Sequence, residues 1–262
     1  MPAPARPLPR QTLLVGLGGA IGTAIRLLLT TWLPPVHGVP VSVFLINITG
    51  AFLLGALLET LTRTGPEAGI RRTVRLFVGT GIIGGYTTYS TLAVGVAEVF
   101  TPGSSGMPPH TGSARFSSEP LRPSSASSLP AQPFRPVVCS ERLADPRNRD
   151  RRRAGSSLRF LLDIAVRGRL GSHFPWGTSV INLTGSFALG IVTGLGTTVL
   201  PAVWVIVIGT GLIGGYTTFS TASVETVRLA LEHRYRAATA HGLVNLVACV
   251  LAALLGLWIG VR

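Results

Sequence analysis

The chain has 262 residues, 47% of them hydrophobic and only 13% charged, with a mean hydropathy of +0.48. Soluble domains carry about a quarter charged residues, so composition sets aside one ordinary soluble domain and points to a membrane protein. The net charge of +13 comes from 23 basic and 10 acidic residues; every basic residue is arginine, and without a zinc, homeodomain or RNA-binding signature this charge reads as arginines between membrane spans, not as a nucleic-acid surface.

Residues 1–11 form a basic tail, MPAPARPLPRQ. Such a start resembles a signal peptide, but the apolar run behind it contains Arg26 and lacks a small-residue cleavage site. It is read as a retained span. A helix needs about 20 mostly apolar residues to cross a bilayer. By that measure the spans in chain order are 12–33, 39–58, 76–97, 174–199, 202–224 and 237–261, with Pro201 dividing the fourth from the fifth. A seventh, 154–166, is short and carries Arg159 and Asp163.

Residues 101–153 are rich in Ser, Pro and Arg and cannot bury enough apolar surface to order themselves, so disorder is expected. Two readings stand: a flexible linker, or the out-of-frame product of a GC-rich message joining two coding units. The two cysteines, Cys139 and Cys249, lie in different regions and define no disulfide or metal framework.

An internal repeat organises the rest. GTGIIGGYTTYST at 79–91 recurs as GTGLIGGYTTFST at 209–221, identical at eleven of thirteen positions. INITGAFLLG at 46–55 recurs as INLTGSFALG at 181–190, and GTAIRLLL at 22–29 is echoed by GSSLRFLL at 155–162. The chain is thus expected to be two copies of one module, 12–100 and 154–262. The first lacks its fourth span, and the second lacks the start of its first.

Glycine pairs weaken a helix, and unwound backbone in a membrane is tolerated only beside protein or water. The third span of each module is therefore expected to be broken at Gly-Gly-Tyr-Thr-Thr. Its exposed carbonyls suit a hard cation, and the hydroxyls of Thr87, Thr88, Ser90, Thr91, Thr217, Thr218, Ser220 and Thr221 offer donors to a small anion. Close packing of small residues is the alternative reading. Asn47 and Asn182 lie mid-span, as anion donors or as glue between helices. Arg26 and Arg159 are costly inside a span and are functional candidates. Glu225 stands at the water boundary. His241, Asn245 and Cys249 share one face of the last span, lining a pathway or packing on a neighbour. No nucleophile–base pair, metal cluster or phosphate loop suggests an enzyme.

The motifs GGAIGTAIR, INITGAFLLG and GTGIIGGYTTYST, with their second copies, resemble those of the CrcB/Fluc fluoride channels over about 70% of the chain. The resemblance implies an all-α membrane fold of two CrcB-like modules with six to seven transmembrane helices, the third of each module broken. It implies an antiparallel pairing of modules with two fluoride pores, in a multi-pass protein of a microbial cell membrane. It further implies a structural sodium ion on the backbone carbonyls of Gly84, Thr87, Gly214 and Thr217. The fluoride pathway would run past Asn47, Asn182, Tyr89, Ser90, Thr91, Phe219, Ser220 and Thr221, supported by Arg26, Arg159 and Asn245. Where the family carries two phenylalanines three residues apart, this chain has Tyr89 and Leu92, then Phe219 and Ala222.

The implied role is passive, sodium-dependent fluoride export that relieves toxicity. The implied partners are fluoride, the lipid bilayer, and a second chain in a homodimer or a heterodimer with another CrcB-like subunit; no nucleic acid is implied. The alternatives are a non-conducting, damaged or merged membrane protein and a small dual-topology transporter. Orientation depends on one segment. With three spans in the first copy, insertion of 154–166 inverts the second copy, and omission leaves the two parallel.

Overall fold

A computed structural model describes residues 9–33, 40–66, 68–99 and 146–262. The described residues are helical throughout, without strands. Helix α1 is Pro9–Trp32 and α2 is Val41–Arg63. Helix α3 joins Gly69–Val74, a π-helical stretch Arg75–Ile83 and Gly84–Tyr86; after a break at Thr87 and Thr88, α4 is Tyr89–Val99. Helix α5 is Pro146–Leu170 and α6 is Trp176–Leu195. Helix α7 repeats α3 as Ala202–Trp204, Val205–Ile213 and Gly214–Tyr216, and α8, Phe219–Leu231, follows the second break. Helix α9 is Tyr235–Val261.

Prolines set several starts. Pro40, Pro175 and Pro201 each precede the first helical residue of α2, α6 and α7, where a missing N–H is not needed and φ is already suitable. Gly171, at φ +78°, ends α5 in the left-handed conformation that helix C-termini favour.

By length and composition, five helical units among the described residues can cross a membrane: α1, α2, α6, α7 with α8, and α9. The α3–α4 unit is the first-copy counterpart of α7–α8. Two expectations are corrected. The segment read as a short span at 154–166 is a 25-residue helix, because the arginine-rich 146–153, expected to be disordered, continues it N-terminally. Helix α1 also begins at Pro9, inside the presumed tail. The linker or frameshift reading of 101–145, and the first copy's missing fourth span, lie outside the described residues.

The two copies run antiparallel. Arg75, near the start of α3, lines the same groove as Arg228, near the end of α8. At the opposite side, Thr91, past the first break, shares a cavity with Ile206, at the start of α7. Helix α5 packs on α1, α6 and α7, although among the described residues it is not one of the helices long and apolar enough to cross a membrane by length and composition.

Glycines let these helices meet backbone to backbone, as small residues do in membranes. A Cβ on Gly18 or Gly22 would overlap the carbonyls of Phe77 or Ile82, seating α1 on α3. A Cβ on Gly190 would overlap the Ala253 carbonyl and one on Gly256 that of Phe187, seating α9 on α6. Around that seam Tyr89, Ala93, Val94 and Ala97 of α4 pack with Leu189, Ala222, Cys249, Ala253 and Leu257. Replacing Gly256 by valine should therefore lift α9. Overpacking costs about 1–3 kcal/mol, read as a lower melting temperature in detergent; an unchanged melt would mean that α9 is not seated there.

Candidate ion pathway

Each break arises from diverted backbone amides. In a continuous helix the Thr88 N–H would donate to the Gly84 carbonyl; here it donates to Asn47 Oδ1 at 3.0 Å, while Asn47 Nδ2 donates to the Thr88 carbonyl at 3.0 Å. Asn182 holds Thr218 in the same way, at 3.0 and 3.1 Å. The Ser90 N–H donates to Thr217 Oγ1 and the Ser220 N–H to Thr87 Oγ1, across the joint between copies. The Thr91 and Thr221 N–H groups donate to Thr88 Oγ1 and Thr218 Oγ1, so both threonines act as N-caps of the helices that follow. The carbonyls of residues 84–87 and 214–217 are thereby freed from their helical amides. Buried backbone groups require partners, and the other elements supply some of them.

Thr23 Oγ1 donates to the Gly85 carbonyl and Ser156 Oγ to that of Gly215. Arg26 reaches into the second copy, with Nη1 donating to the Gly214 carbonyl at 2.9 Å and Nη2 to that of Thr210 at 2.8 Å. Arg159 reaches back and donates to the Thr80 carbonyl. Its guanidinium lies against Gly84, while its Nε and Nη1 have no protein partner. Both arginines are buried. They are cross-braces between modules and do not snorkel to the membrane surface.

The hydroxyls meet at the joint. Thr87 Oγ1 is 2.9 Å from Ser220 Oγ, Ser90 Oγ is 2.9 Å from Thr217 Oγ1, and Thr88 Oγ1 is 3.2 Å from Thr217 Oγ1. All are buried. Thr91 and Thr221 extend the ladder through Thr88 and Thr218. The rings of Tyr89 and Phe219 approach one another, with centroids 5.8 Å apart. Leu92 and Ala222 are buried apolar residues at the other two positions. Asn245 and Cys249 lie against Tyr89, so that face of α9 turns inward.

Sequence reasoning missed three features. Thr23 and Ser156 cap freed carbonyls; the detectable signal was a hydroxyl three residues before each arginine of the repeat. Thr49 and Thr184 bond the Tyr86 and Tyr216 hydroxyls at 3.0 Å. Beside α9, Arg167 bonds both Asp163 and Glu225 at 2.8 Å, and His241 accepts or donates through Ser179 at 3.1 Å. Glu225 is thus drawn into an ion cluster instead of only marking the water boundary.

Two cavities are counterparts under the repeat. One, about 20 Å³, is lined by Arg26, Thr30, Ile46, Thr88, Thr91 and Thr210. The other, about 400 Å³, includes the matching Arg159, Asp163, Ile181, Thr218, Thr221 and Thr80. Among the described residues no group of three His, Cys, Asp or Glu side chains could hold a metal ion. A cation would therefore rely on backbone oxygen, which suits a hard ion. The Thr87 and Thr217 carbonyls keep no helical amide, and Gly214, though bonded to Arg26, retains a second lone pair. The Thr87 and Thr217 oxygens fit such a group, whereas Gly214 and Gly84 already face the guanidiniums of Arg26 and Arg159.

A family model described as CrcB-like protein, Camphor Resistance (CrcB), matches residues 13–109 and 153–257. Fluoride-specific ion channel FluC 1 of Leifsonia xyli subsp. xyli is 51% identical over 107 residues, 40% of this chain and 78% of that protein. FluC 2 of the same organism is 56% identical over 85 residues, 32% of this chain and 59% of its own length. FluC 1 of Cutibacterium acnes is 50% identical over 91 residues, 33% of this chain and 64% of its own. The matched stretch spans less than two thirds of the latter two. No solved structure matches the chain.

Proposed function

Because this chain belongs to the CrcB-like family, we propose that it is a passive channel carrying fluoride out of the cell and so relieving fluoride toxicity. The observation that carries this reading is the pair of broken helices held open by Asn47 and Asn182. A small anion gives up strongly held water only where fixed donors replace it. Buried hydroxyls of Thr87, Thr88, Ser90, Thr217, Thr218 and Ser220 are such donors, since each can rotate its O–H toward an anion. The electropositive ring edges of Tyr89 and Phe219 add weaker attraction, and Arg159, on the wall of the larger cavity, favours anion entry.

The carbonyls of Thr87 and Thr217 would hold sodium, which supplies fixed positive charge between the two breaks when bound. Arg26 and Arg159 brace the same backbone from opposite copies. The dual-topology transporter reading gains less support, because Asp163 and Glu225 are both ion-paired with Arg167. Purified protein in fluoride-loaded liposomes should release fluoride but not chloride once a potassium ionophore relieves the membrane potential. Replacing sodium by N-methylglucamine should slow that release. A fluoride electrode that registers no release in sodium would overturn the proposal.

A further inference from the structure

The repeat exposes an unfilled helix seat. In the second copy, α9 lies in the groove between α6 and α4, with the Ala253 backbone against Gly190. The matching groove in the first copy lies between α2 and α8. There Gly55 occupies the position of Gly190, and a Cβ on it would meet nothing within 4 Å. Ala97 of α4 is 0% exposed under α9, whereas its counterpart Val227 on α8 is 58% exposed. Phe52, the counterpart of the half-buried Phe187, is 74% exposed. The groove encloses about 700 Å³ and is lined by Ala51, Gly55, Leu58, Ser223, Val227 and Leu231, among others.

We propose that the α2–α8 groove docks one transmembrane helix from another polypeptide: an uncharged helix of about 20 residues with a small-residue stripe like Ala253, Gly256 and Gly260. The occupant follows from the pseudo-symmetry, because the equivalent groove holds a helix of that kind. Residues 100–145 of this chain cannot supply it, since Pro, Ser and Arg recur throughout and leave no apolar stretch of spanning length. A second copy cannot supply it without emptying its own α6 seat, where the glycines already lock α9. Glu59 stands where α6 has Gly194, so close approach ends one turn past Gly55. Glu59 and Arg228 then form a polar rim that suits a helix with a charged or polar terminus. The proposal concerns the fold of the first module and holds whichever ion is carried.

The test uses the full chain in detergent micelles, with Cys139→Ser to remove a second label site, Cys249 being fully buried, and Val227→Cys carrying a fluorophore. The probe is a synthetic peptide of the Tyr235–Val261 sequence bearing a quencher. Saturable quenching at one peptide per chain is expected, and Gly55→Leu, which fills open space, should weaken it at least tenfold. Three outcomes overturn the proposal. One is no saturable quenching, which leaves lipid as the only cover. Another is equal quenching in the Gly55→Leu variant, which means partition into the micelle. The third is dimerisation of the chain that shields Val227 without peptide, which makes a second copy the occupant.

Discussion

Replacing Asn47 and Asn182 together by leucine is expected to abolish fluoride release. Each asparagine accepts the amide of the threonine after the break and donates to the carbonyl of the same residue. Leucine has the same branched heavy-atom skeleton but can do neither. The Thr88 and Thr218 amides would then turn back to Gly84 and Gly214, closing the helix and withdrawing the carbonyls and hydroxyls from the joint. Each threonine carbonyl that loses its asparagine donor and finds no other costs about 1–3 kcal/mol, so the melting temperature should also fall. The aspartate variants separate bracing from charge: aspartate still accepts the threonine amide but adds a negative charge beside the path. Efflux should be lost with leucine and with aspartate, and the leucine pair should be the less stable. Undiminished efflux from the double leucine variant would show that asparagine does not hold the breaks open.

Arg26→Met and Arg159→Met are expected to differ, although the repeat aligns them. Arg26 makes two charge-assisted bonds into the second copy, to Gly214 and Thr210. Removing it leaves the buried Gly214 carbonyl without a donor, at about 1–3 kcal/mol, and takes a second bond from the part-buried Thr210 carbonyl, less the desolvation that burying the guanidinium had cost. Arg159 bonds one carbonyl and leaves Nε and Nη1 without a protein partner on the wall of the 400 Å³ cavity. Its loss should reduce the melting temperature less than the loss of Arg26, while lowering fluoride flux strongly through the loss of positive charge. Thermal melts and efflux of both variants decide it; a larger stability loss for Arg159→Met than for Arg26→Met would refute the assignment.

The asymmetry has local causes. In the larger cavity Asp163 replaces Thr30 and Thr178 replaces Val43, which makes that wall polar, and the cavity continues toward Leu54 and Leu58 on the uncovered side of α2. On the other side, α9 fills the matching space. The two copies therefore share their central motif and differ at their edges.

Periodicity and repetition in the chain were enough to identify membrane helices, two modules and a weak point at Gly-Gly-Tyr-Thr-Thr, because apolar length and glycine propensity are local properties. They also marked Asn47, Asn182, Arg26 and Arg159, since a polar side chain within a span needs a partner. Which partner each one takes was not legible. The Asn–Thr clamps close over sequence separations of 41 and 36 residues, and Arg26 reaches 188 residues along the chain. Nor could composition reveal that the arginine-rich 146–153 extends α5, or that the two copies pack antiparallel. Those outcomes depend on which backbone groups remain unpaired once the helices pack, and only the tertiary arrangement of both copies determines that.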